Sequence, residues 1–145
     1  MYQKDYILRM IAEIMKFIGE ILGLIKKEEY GKASKMLEEA YTTFLKEDAA
    51  YFSNIPEKDL TKELLEKHNY TNDHLEILIE LFNAEGELNI AQGDRISSVG
   101  FFRKALILLD FIDKENRIYS EERLHKIENL RKKIEELSSD SLKNK

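Results

Sequence analysis

The chain has 145 residues, enough for one domain with a sizeable core. Its 28 acidic and 23 basic residues leave a net charge of −5, without the positive excess that phosphate neutralisation requires, so nucleic acid is not an expected partner. With no cysteine, disulfides, thiol catalysis and thiolate metal sites are excluded, and the composition fits a reducing cytoplasm.

Hydrophobic residues make up 43% and charged residues 35%, with one proline and six glycines. So much charge with so few breakers favours long amphipathic helices over strands, and the expected fold class is all-α. A first helix is predicted over about residues 5–26. Its charges Arg9, Glu13, Lys16 and Glu20 are spaced four, three and four apart, one narrow stripe, while most other positions are apolar. Those charges interrupt any apolar run of signal-peptide or membrane-spanning length, so a cytoplasmic protein without a membrane partner is expected. An apolar surface this broad must be covered on more than one side. Ile7, Ile11, Ile14 and Ile18 are the candidate interface on this helix, for a second copy of the chain or another protein.

A polar turn at Lys26–Glu29 leads to a second helix over about residues 30–48, with Ala33, Leu37, Ala40, Tyr41, Phe44 and Leu45 at helical spacing. The short connection predicts an antiparallel hairpin. Ser53, Asn54 and Pro56 break the pattern, and Pro56 suits the first turn of a short helix reaching Lys67, expected as a strut across the hairpin ends. Thr71–Asp73 can cap the next helix, which runs to about Gln92. It has two apolar faces, one with Leu75, Leu78, Ile79 and Phe82, the other with Ile77, Leu81, Ala84, Leu88 and Ala91, and is expected to be the most buried. Gly93 and Asp94 end it, and another largely apolar helix follows over about residues 95–112, beginning with Ile96. The last helix is predicted to start with Ser120 as its cap and Tyr119 against Leu124 as a hydrophobic staple. Its narrow apolar stripe, Leu124, Ile127, Leu130, Ile134 and Leu137, suits a capping helix. One domain over residues 1–137 is therefore expected, with a disordered tail at 138–145.

Gly86, Gly93-Asp94, Ser98, Phe102 and Ala105 follow the order and spacing of the tetratricopeptide repeat, which the chain resembles here. That motif has a small residue in its first helix, a turn, a small residue early in the second, an aromatic four positions later and alanine three after that. Ser98 stands where alanine is usual, and Asn89 where an aromatic is usual. Ala33, Leu37 and Ala40 echo the second half, and Ala40 and Ala105 lie 65 positions apart, near two repeats of ~34 residues. The resemblance implies helical hairpins with a C-terminal capping helix, with Gly86, Gly93, Ser98, Phe102, Ala105, Ala33 and Ala40 as repeat-packing positions. It implies no activity.

The search for chemistry returns structural readings. His68, His74 and His125 have no metal-ligand spacing and are expected on the surface or at caps. The one Glu-x-x-His, Glu122 to His125, lacks the second copy that a di-iron bundle needs. Arg131, Lys132 and Lys133, flanked by Glu128, Glu135 and Glu136, form a solvated helix face. The three small residues Ser97, Ser98 and Gly100 suggest close helix packing. No nucleophile, phosphate-binding or dinucleotide motif occurs, so neither catalysis nor a cofactor is expected. The reading is a protein-interaction or scaffold domain, with Tyr41, Tyr51 and Tyr70 as residues for a groove. The alternatives are a structural protein that self-assembles through the first helix, and apolar small-molecule binding.

Overall fold

The computed structural model describes residues 2–116 and 118–143, and the side chains of 8–116 and 118–139. Among the described residues the chain is all-helical. Seven α-helices follow in order: α1 Tyr2–Lys26, α2 Tyr30–Ala40, α3 Ala49–Ser53, α4 Leu60–Lys62, α5 Asn72–Ala91, α6 Arg95–Glu115 and α7 Glu121–Lys143. The last helix continues past Leu137, so residues 138–143 are helical rather than the tail expected there, and residues 144–145 lie outside the described residues.

α5 is the centre of the molecule. Its two apolar faces are buried together, except at Ala91, which is exposed. α1 and α2 cover one side of it and α6 another, while α7 lies along α6. The helix predicted over 30–48 divides. α2 widens into a π-helical turn at Tyr41–Leu45, where the Thr42 hydroxyl donates to the carbonyls of Glu38 and Glu39 and competes with the regular ladder. Lys46, at φ 62°, then stops the helix in the left-handed region.

Pro56 lies outside the following helix rather than in its first turn. It is extended (ψ 147°), and the chain then passes through a 3₁₀ turn at Glu57–Asp59, α4 and a second π-helical turn at Glu63–Lys67. This strut leans on α6. α3, just before the break at Asn54 and Pro56, is held at both ends. Asp48 accepts from the Tyr51 amide at its start, and Lys104 of α6 donates to the Ser53 carbonyl at 2.6 Å and the Phe52 carbonyl at 3.3 Å at its end.

The α5–α6 connection is a tight turn. Gly93 turns the chain at φ 84°, and Asp94 caps α6 by accepting from the Ser97 amide. A Cβ on Gly86 would stand 2.6 Å from Phe102 Cζ, so the Phe102 ring lies directly on α5 where only glycine leaves room. Ser98 is buried, and its hydroxyl donates to the Gly86 carbonyl at 2.8 Å, which accounts for serine in place of alanine. Ala105, Ala33 and Ala40 are also fully buried. Gly100, by contrast, has open space where a side chain would be, and Ile96 is 86% exposed, so the start of α6 is less covered than its composition suggests.

α7 is fastened by charge as well as by its apolar stripe. Lys126 meets Glu80 and Lys133 meets Glu87 on α5, and Arg123 meets Asp113 and Arg131 meets Asp110 on α6. Lys133 also stands over the Phe102 ring at 5.0 Å. The Arg131–Lys133 cluster is therefore partly a docking device, not simply a solvated face. Ser120 caps the helix by accepting from the Arg123 amide. Tyr119 and Leu124, the expected staple, are both exposed.

Candidate interaction surface

α1 carries the largest difference between expectation and structure. Ile14 and Ile18 are buried against α2 and α5, at 1% and 4% exposure, so they belong to the core and not to an interface. Ile11 is half-buried against the same core, and Ile7 lies outside the residues whose side chains are described. The uncovered apolar strip is rotated away from these positions. It consists of Leu8, Ala12, Met15, Gly19 and Leu22, spaced four, three, four and three, with Leu8 56%, Met15 45% and Leu22 36% exposed. This spacing is that of a helix-pairing seam. Gly19 has open space above it, which keeps the strip low between its large residues.

A second column runs beside the strip. Arg9, Glu13, Lys16 and Glu20 are all exposed and alternate in sign along the helix. On the strip's other flank, Ile11 and Met15 border a cavity of about 270 Å³ between α1, α5 and the start of α7. α1 thus presents an apolar column and a charged column side by side, both facing away from the core.

The tyrosines expected to line a groove separate. Tyr41 is fully buried, and its hydroxyl lies in reach of the charges of Glu85 and Glu38. Burial pushes its pKa upward, and those carboxylates add to the effect. Glu85 itself is lifted to about 7, first by burial and then by the Glu38 charge. Tyr51 lines a cleft of about 540 Å³ with Pro56, Asp59, Lys62 and Glu66. Its hydroxyl donates to Glu63 at 2.9 Å and lies 2.8 Å from His68 Nε2. The pKa of Tyr51 is pushed up to about 12, chiefly by burial and then by its hydrogen bond to Glu63, so it keeps its proton near neutral pH. Tyr70 donates to the Leu45 carbonyl and stacks on His74.

The histidines take structural places. His74 Nδ1 accepts from the Thr71 amide at the start of α5, and burial lowers its pKa. His68 packs between Tyr51 and Tyr70, and His125 is exposed on α7. Among the described residues no three His, Asp or Glu side chains converge as metal ligands, and no helix is long and apolar enough to cross a membrane.

Comparison with known proteins finds no matching family model, no matching curated protein and no matching solved structure.

Proposed function

We propose that this chain acts by protein contact rather than by catalysis, as a domain built of tetratricopeptide-like helical hairpins that offers the outer face of α1 to a protein partner. The observation carrying this reading is the exposed strip Leu8, Ala12, Met15, Gly19 and Leu22, an apolar column at pairing spacing on a helix whose opposite side is anchored in the core. Contiguous apolar surface of this kind marks contact sites in otherwise polar proteins. The hairpin reading draws support from the α5–α6 unit, where Gly86, Gly93, Ser98, Phe102 and Ala105 act together in one helix–turn–helix packing. A non-catalytic role draws support from the histidine and tyrosine groups, which are engaged in caps, stacking and buried hydrogen bonds.

The test places a photo-reactive aromatic amino acid at Met15 and, in separate proteins, at Ile96 and Leu124, which are also exposed. Irradiation in the cell that makes the protein should yield covalent protein adducts from Met15 and not from the other two positions. Adducts absent from Met15, or equally abundant at all three sites, would count against the reading.

A further inference from the structure

We infer that the partner on this face is a second copy of the chain, docked through α1 with the two helices antiparallel. The inference rests on the interaction reading above and adds to it the occupant and the register.

The argument comes from the symmetry of the two columns. A two-fold axis that sets two α1 helices side by side and antiparallel brings each column against its own copy. A two-fold axis parallel to the helices can set one column against its own copy, but not both at once. Only the antiparallel arrangement therefore covers Leu8, Met15 and Leu22 with apolar surface and, in the same contact, sets the charged column against its own copy.

The register and the order of the charges fit the same axis. In the apolar column Met15 is the midpoint, and Leu8 falls opposite Leu22 of the second copy. In the charged column the midpoint lies between Glu13 and Lys16. Arg9 then falls opposite Glu20 of the second copy, and Glu13 opposite Lys16, with the reciprocal pairs generated by symmetry. Two columns of different chemistry share one centre to within half a residue, under 1 Å of the ~1.5 Å rise per residue. The alternation of sign, unremarkable on an isolated helix, is self-complementary only when the stripe is reversed. Ala12 and Gly19 leave the column low between its large residues, so a facing side chain can seat there.

The strip from Leu8 to Leu22 is only about 21 Å long, so the contact belongs to the small end of specific interfaces and the dimer should form and dissociate with concentration. Analytical ultracentrifugation of the full chain, from low to high micromolar, should show a shift from 17.1 kDa to twice that mass. Arg9→Glu with Lys16→Glu makes the stripe wholly acidic, and Glu13→Lys with Glu20→Lys makes it wholly basic. Each variant should remain helical by circular dichroism and monomeric alone, and mixing the two should restore a dimer. Combining all four reversals should restore self-association.

Cross-linking reads the orientation directly, because the chain has no cysteine. Met15→Cys should oxidise to a covalent dimer, Leu8→Cys alone should not, and a mixture of Leu8→Cys with Leu22→Cys should. A chain that stays at 17.1 kDa throughout, charge variants that associate like the parent, or a Leu8→Cys protein that cross-links to itself would each overturn the antiparallel pairing. If a different protein is then captured by the photo-reactive residue at Met15, the interaction reading survives without self-pairing. If nothing is captured, both fail.

Discussion

Gly86 shows how one absent side chain can set the distance between two helices. Alanine there would ordinarily improve an α-helix by about 1 kcal/mol. Here its Cβ would meet the Phe102 ring, which is fully buried and has Lys133 over it, so it has little room to retreat. Overpacking of this kind costs about 1–3 kcal/mol, more than the propensity gain. Gly86→Ala should therefore lower the midpoint of urea unfolding, and Gly86→Ala combined with Phe102→Leu should recover part of the loss. Glu85 is the second residue whose effect is local and measurable. Its carboxyl titrates near 7 in the folded protein against an ordinary value of 4.5, because burial and Glu38 both oppose its charge. The folded state then binds the proton more tightly than the unfolded chain does. Stability should be greatest below pH 4.5 as far as this group is concerned, fall as pH rises from 4.5 to 7, and level off above that. At ~1.4 kcal/mol per unit, a rise from 4.5 to about 7 corresponds to a cost of about 3 kcal/mol. Glu85→Gln should remove this slope and raise stability at pH 8, as denaturant titrations at pH 5 and pH 8 would show. Tyr41, which also faces Glu85, contributes no slope in this range because its own pKa is raised.

At the scale of elements, most helices are legible as periodicity, whereas α3 and the docking of α7 depend on side chains that reach across to another element. α1, α2, α5, α6 and α7 follow from apolar spacing, with Ser120 as the cap of α7. α3 did not, because five residues carry too little pattern and its end is satisfied by Lys104, 51 residues away. Exchanging Lys104 for Met keeps the apolar stem and removes the donor from two carbonyls, one of them at 2.6 Å. Lys104→Met should destabilise the protein by about 1–2 kcal/mol. Hydrogen exchange should quicken in 49–54 more than in α5. The attachment of α7 left a faint trace in the sequence, since Glu80 and Glu87 are seven apart and so are Lys126 and Lys133. That spacing becomes a pair of bridges only when α7, lying along α6, comes within side-chain reach of α5, and periodicity within one helix cannot say where it lies.

For the whole molecule, the all-helical class, the central place of α5 and the hairpin between α5 and α6 were fixed by the order of the residues. Their causes are local or nearly so: apolar spacing, a turn at Gly93 and small residues at the closest approach. The sequence also marked α1 as having more apolar surface than one neighbour could cover. It could not say which part stays uncovered, because Ile14, Ile18 and Met15 are all apolar residues of one helix, and a rotation of that helix by about 100° per residue exchanges core for surface. Only the docking of α2 and α5 against α1 decided that, by burying Ile14, Ile18 and Ile21 and leaving Leu8, Met15 and Leu22 outside. Which residues are apolar is written in the chain, but which of them meet water depends on the position of every neighbouring helix, and that is a property of the packed tertiary structure alone.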